Sequence, residues 1–151
     1  MDQETIVYGI IKDVVSNDTQ FQLRSRLINC AALLELKDLD TFPYLTSSMF
    51  SIPEDELEQG TYQTQVIHFA ASYQAVEYHW EHWMEKFEAL LKSMYWVAAT
   101  VHLETELSGK HTFYWESANA FHAPSEDLSV RCEWEQDVSF RLNTSPFVNS
   151  R

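Results

Sequence analysis

Residues 97–107, VAATVHLETEL, alternate between two kinds of side chain. Val97, Ala99, Val101 and Leu103 fall on one side of an extended chain, and Thr100, His102, Glu104 and Glu106 on the other. A period of two belongs to a strand, because successive side chains there point to opposite faces. One dry face and one wet face mean a sheet covered on one side only, which antiparallel sheets allow. The next run, HTFYWES at 111–117, is the natural partner. A three-residue loop, Leu107-Ser108-Gly109, lets Gly109 take the left-handed position of a bulged turn. That loop predicts Glu106 opposite Lys110, Glu104 opposite Thr112, Leu103 opposite Phe113 and Val101 opposite Trp115. A two-residue turn would swing Phe113 and Trp115 onto the polar face.

The dry face of such a sheet needs a cover. Residues 75–95 supply it: Val76, Trp80, Trp83, Phe87, Leu90, Leu91 and Met94 recur at steps of four, three, four, three, one and three, the stripe of an amphipathic helix. A second helix is predicted from SNDTQ at 16–20, with Asn17 as cap and Gln20 three residues on, running to about Leu36. Its apolar face is expected to carry Leu23, Leu27, Cys30, Ala31 and Leu34, with Arg24, Ser25 and Glu35 opposite. TIVYGII at 5–11 and QTQVIHFAASY at 63–73 read as further strands. In the latter, Ile67, Phe69 and Ala71 share one face and Val66, His68 and Ala70 the other.

Residues 37–61 form a long connection that is too apolar for a free linker, with Phe42, Tyr44, Leu45, Met49, Phe50 and Ile52, and is expected to pack over the core. The region 118–151 is less decided: VRCEWEQDVSF at 130–140 reads either as a strand or as irregular chain, and the last residues read as frayed. The expected fold is one α+β domain over 1–151. It is a two-layer sandwich in β-α-β-α-β-β order, with a mainly antiparallel sheet, two helices on one face and an additional C-terminal segment. The face away from the helices is expected to carry His68, His102, Glu104, Glu106, Tyr114 and Glu116.

The formal net charge is −13, from 23 acids against 10 bases. Nucleic acid and anionic membranes are therefore unfavoured partners, since both demand a basic surface, whereas a basic protein is a compatible one. Three glycines leave no phosphate-binding loop, and no G-x-G-x-x-G pattern occurs. Cys30 and Cys132 form neither C-x-x-C nor a zinc spacing, and Cys30 is expected as a buried thiol. No basic leader with a long apolar run opens the chain, and no apolar run approaches a membrane span, so the expected compartment is the cytoplasm.

The stretch YHWEHWMEKFEALL at 78–91 crowds histidine, glutamate and tryptophan together. A helix separates them. His79, His82 and Lys86 take one flank, and Glu77, Glu81, Glu85 and Glu88 the other. His79 and His82 at i, i+3 could touch one ion, but zinc needs a third ligand and a fourth. Lys86 beside them repels a cation, and H-E-x-x-H is absent. No metal, cofactor or catalytic set is therefore expected. An enzyme reading survives as an alternative, a small metal-dependent hydrolase using His79 and His82 or the face with His68, His102 and Glu104. Like charges at i, i+4 cost a few tenths of a kcal/mol each, and the glutamate ladder reads either as a solvated face or as a site for a basic partner. The expected partner-binding residues are Glu77, Glu81, Glu85 and Glu88 with His102, Glu104, Glu106, Tyr114 and Glu116.

The runs PYLTSSMFSIP at 43–53 and QVIHFAASYQAVEYHWEHWMEKFEALLKSMYWVAATVHLETELSGKHTFYW at 65–115 resemble small bacterial immunity proteins of polymorphic, contact-delivered toxin systems, the Rhs type among them. The resemblance implies a cytoplasmic protein that binds a cognate toxin domain and blocks it. It carries over no catalytic residues. The acidic balance fits such a role, because an acidic cover docks quickly on a basic toxin by electrostatic steering.

Overall fold

A computed structural model describes residues 4–36, 41–51, 66–106 and 109–128, and 130–136 as backbone. It is an α+β fold. Strand β1 spans Glu4–Lys12, helix α1 Thr19–Leu34, β2 Val66–Gln74, α2 Trp80–Lys92, β3 Ala98–Thr105, β4 Gly109–Glu116 and β5 Val130–Gln136. The sheet order is β2-β1-β3-β4-β5, and every neighbouring pair is antiparallel. The first strand in sequence thus lies between β2 and β3. The segment left open at 130–140 contributes an edge strand.

The two faces sort as the alternation predicts. Val7, Ile11, Ile67, Phe69, Ala99, Val101, Leu103, Phe113 and Trp115 are buried in one core with Trp83, Phe87, Leu90 and Leu91 of the second helix and Met94 just after it. The helix stacks its aromatic rings on the sheet. Phe69 lies 5.4 Å from Phe87 between ring centroids, and Phe87 5.2 Å from Trp115. Trp80, expected in the core stripe, is half-buried at its edge and stacks on Trp83 at 4.8 Å. Gly9 sits beneath this layer. A Cβ there would fall 2.0 Å from the Thr100 carbonyl oxygen and 2.8 Å from the Phe69 ring, so a side chain at this position has no room.

The β3–β4 register differs from the expectation by two residues. Glu104 faces Lys110, His102 faces Thr112, Val101 faces Phe113 and Ala99 faces Trp115. A shift of two leaves every side chain on its own face, so the hydrophobic pattern cannot distinguish the two registers. Gly109 does take a left-handed conformation, φ 82°, but as the first residue of β4 opposite Thr105. Glu106 therefore leaves the sheet face and stands exposed in the turn.

The second helix also begins later than expected. Ala75 is left-handed at φ 53°, and Val76–His79 form a separate 3₁₀ turn before α2 starts at Trp80. The first helix is capped by Asp18, not Asn17. The Asp18 carboxylate accepts from the backbone N–H groups of Gln20 and Phe21.

The largest departure is the orientation of α1. Its buried residues are Ser25, Arg26, Asn29 and Leu33, while Leu23, Leu27 and Leu34 are exposed and Cys30 is only half-buried. The helix docks through polar bonds. The Asn29 side chain donates to the Tyr95 carbonyl and accepts from the Tyr95 N–H, at 2.9 and 2.8 Å. Gln22 donates to the Val14 carbonyl and accepts from the Ser16 N–H. Arg26 lies 3.8 Å from the Asp13 carboxylate, both side chains nearly fully buried. Apolar periodicity is blind to a face built this way.

Of the long connection, residues 41–51 pack on the core as expected. Leu45 and Phe50 are buried, Phe50 bridges to Phe69 beside β2, and Ser47–Met49 form one 3₁₀ turn. Ile52 lies outside the described residues, as do the residues after Gln136.

Candidate functional site

With both helices on one face, no described element covers the other. That outer face carries, across β2, β1, β3 and β4, the rows Val66, His68 and Ala70, then Ile6, Tyr8 and Ile10, then Thr100, His102 and Glu104, then Lys110, Thr112, Tyr114 and Glu116. The antiparallel register brings Tyr8 directly opposite His102, and Ile6 opposite Glu104. A shallow groove of about 520 Å³ runs along it, lined by Tyr8, Ile10, His68, Thr100 and His102.

Two hydrogen-bonded pairs meet at this groove through a ring contact. The Tyr8 hydroxyl donates to the Glu104 carboxylate at 2.5 Å, and the Tyr8 and His102 rings lie 5.0 Å apart between centroids. His102 Nδ1 shares a hydrogen bond with the Thr112 hydroxyl at 2.9 Å. Burial pushes the Tyr8 phenol up to about 12, with the Glu104 hydrogen bond and charge adding to the effect. Burial likewise holds the His102 imidazole below its ordinary value. Lys110 lowers it further, and Glu104 opposes both. Tyr8 is therefore a firm hydrogen-bond donor to Glu104 and a poor proton source.

Exposed apolar side chains flank these groups. Ile6 and Ile10, 41% and 37% exposed, stand on either side of Tyr8 along β1, and Val66, 42% exposed, lies diagonally across from Ile10 on β2.

The expected site residues fall into three places. His102, Glu104, Tyr114 and Glu116 share the outer face with His68. Glu106 stands apart in the β3–β4 turn. The four ladder glutamates separate. Glu81 and Glu85 are exposed on α2. Glu88 instead accepts the Trp115 indole N–H at 2.7 Å. Glu77 lies on the preceding 3₁₀ turn, half-buried, with one carboxylate oxygen that has no hydrogen-bond partner among the described residues.

His79 and His82 are exposed on the flank predicted for them, and His79 packs edge-on against Phe42. Lys86, between them, donates to the carbonyls of Thr41 and Pro43 and pins the 41–45 segment to the helix. Among the described residues, no three His, Cys, Asp or Glu side chains are placed to share a metal ion.

Sequence reasoning passed over two features. Tyr8 sits in TIVYGII, a run too short and too apolar to display its outward residue as a site. His122, outside every predicted element, is buried against Trp96 at 4.8 Å, with its two ring nitrogens against the carbonyl oxygens of Met94 and Glu126 at 3.0 and 2.8 Å. It ties the segment after β4 to the end of α2, a structural role that only the tertiary fold reveals.

Fold and site together define an α+β protein whose sheet carries its helices on one face. Comparison with protein-family models, curated proteins and solved structures returns no match. No helix among the described residues is long and apolar enough to cross a membrane.

Proposed function

We propose that the chain is a non-enzymatic acidic binding protein that seats a basic protein partner on its outer sheet face. Within that class, its role is that of an immunity protein, neutralising a cognate bacterial toxin domain in the cytoplasm. The observation that supports this reading most is the placement on that face of the exposed Ile6 and Ile10 on either side of Tyr8, with the Tyr8–Glu104 and His102–Thr112 hydrogen-bonded pairs beside them. The exposed isoleucines would supply burial and the fixed polar groups orientation, while a net charge of −13 steers a basic partner inward. The exposed Glu81 and Glu85 on α2 lie on the other side of the sheet and add to the overall negative field rather than to this face.

The test is co-expression with the protein encoded beside this one. Protection of the cell that is lost with Ile10→Asp, in a variant that still folds, supports the reading. Death of cells in which this protein accumulates in soluble form rejects it for that pair. The competing reading, a metal-dependent hydrolase, draws on His68 and His102 lining one groove. Metal analysis of the purified protein separates the two: stoichiometric, tightly held zinc or iron would favour the hydrolase.

A further inference from the structure

We propose that the exposed face of α1 is a self-association surface, on which a second copy of the chain packs its own α1 antiparallel. The face is Leu23, Leu27, Cys30 and Leu34, with Leu27 and Leu34 at 50% and 60% exposure. The steps between them are four, three and four. That is the 3.5-residue seam two helices use when they pack side by side, and it is narrower than the stripe a helix presents to a domain core. The domain core takes a different face of the same helix, through Ser25, Arg26, Asn29 and Leu33.

The seam is self-complementary about a two-fold axis between Ile28 and Asn29. Antiparallel packing there sets Leu23 against Leu34 of the second copy and Leu27 against its Cys30. Arg24 and Glu35, both exposed, each lie one residue beyond a terminal seam leucine. The two-fold places them on the same side of the helix pair, so that each Arg24 meets the Glu35 of the other copy, once at either end. Charge also selects the occupant. The chain is strongly acidic, yet α1 itself, TQFQLRSRLINCAALL, holds no acid, and with Arg26 buried against Asp13 its surface charge is Arg24. Another acidic chain therefore meets less repulsion on α1 than on α2 with its exposed Glu81 and Glu85.

One helix pair buries little area, so the dimer is weak and depends on concentration. Sedimentation velocity up to about 500 μM should show a monomer passing into a dimer, a range suited to a small interface. Leu27→Asp removes the dimer while the far-ultraviolet dichroism is unchanged. Leu34→Lys, whose charge suits a helix C-terminus, does the same if Leu27→Asp folds poorly. Arg24→Glu weakens association about five- to ten-fold, the scale of two exposed ion pairs turned repulsive, and adding Glu35→Arg restores it. A sample monomeric at every concentration overturns the proposal, as does a dimer that survives Leu27→Asp and Leu34→Lys. A charge swap that fails to restore association overturns the antiparallel arrangement.

Discussion

Trp115, on the buried face of β4, donates its indole N–H to the carboxylate of Glu88 on α2 at 2.7 Å. One glutamate of an apparently solvated helix flank thus belongs to the contact between the layers. The Trp115 side chain has no exposed surface, so its N–H has no recourse to water. Glu88→Leu strands that donor and should cost about 1–3 kcal/mol, the scale of a buried unsatisfied group. Glu88→Gln keeps an acceptor and should cost clearly less. Urea unfolding of the two variants checks the order; equal losses would mean that the hydrogen bond is not what Glu88 contributes.

The same contrast marks what could be read from the residues. Strand faces, the α2 core stripe and the separation of His79 from Glu81 followed from period alone, because burial by apolar side chains leaves a period. The α1 face did not, because Asn29, Gln22 and Arg26 dock it by hydrogen bonds and charge, which leave none. The outer-face cluster was half visible. His102 and Glu104 stand out on an alternating strand, but their link to Tyr8 depends on β1 lying next to β3, a neighbour relation that no local pattern encodes.

The Asp13–Arg26 pair at the root of α1 should respond asymmetrically to mutation. Both side chains are almost fully buried, and burial raises the Asp13 carboxyl, opposed by the Val14 N–H and by Arg26. Asp13→Leu leaves a buried guanidinium that cannot shed its proton, a loss of about 3–5 kcal/mol. Arg26→Met leaves a carboxyl that can take up a proton and become neutral, so the cost should be smaller. A raised folded-state value means that the neutral form favours folding below the ordinary value of 3.8, and that this contribution is lost as pH rises through the folded value. Relative to the native chain, Arg26→Met should therefore recover ground as the pH is lowered. Denaturant titrations at several pH values test both statements.

Ala75 joins β2 to the turn before α2 in a left-handed conformation that costs a residue with a Cβ about 1–2 kcal/mol. Ala75→Gly removes that cost, offset in part by the greater freedom of glycine in the unfolded chain. The expected net effect is a gain of up to about 1 kcal/mol, at a position where a helix starting at residue 75 would instead predict a loss. The thermal midpoint of the variant decides between the two.

The outer-face network predicts two separate pH dependences. For Tyr8, a folded value of about 12 lies above the ordinary 10.0, so its contribution to stability is complete below pH 10 and is lost as pH rises from there toward about 12. For His102 the folded value lies below the ordinary 6.5. Its neutral form favours folding, so that contribution is complete above pH 6.5 and is lost as pH falls toward the depressed value. Tyr8→Phe should remove the highest step in a phenolate absorbance titration and leave the acid side unchanged. His102→Asn should flatten the acid side and leave the alkaline step in place. Glu104→Gln acts on both groups in the same direction. It lowers the Tyr8 step, by removing the charge that opposes phenolate, and it lowers the His102 value further, by removing the charge that supports imidazolium. Opposite movements of the two titrations in Glu104→Gln would show that Glu104 does not couple them.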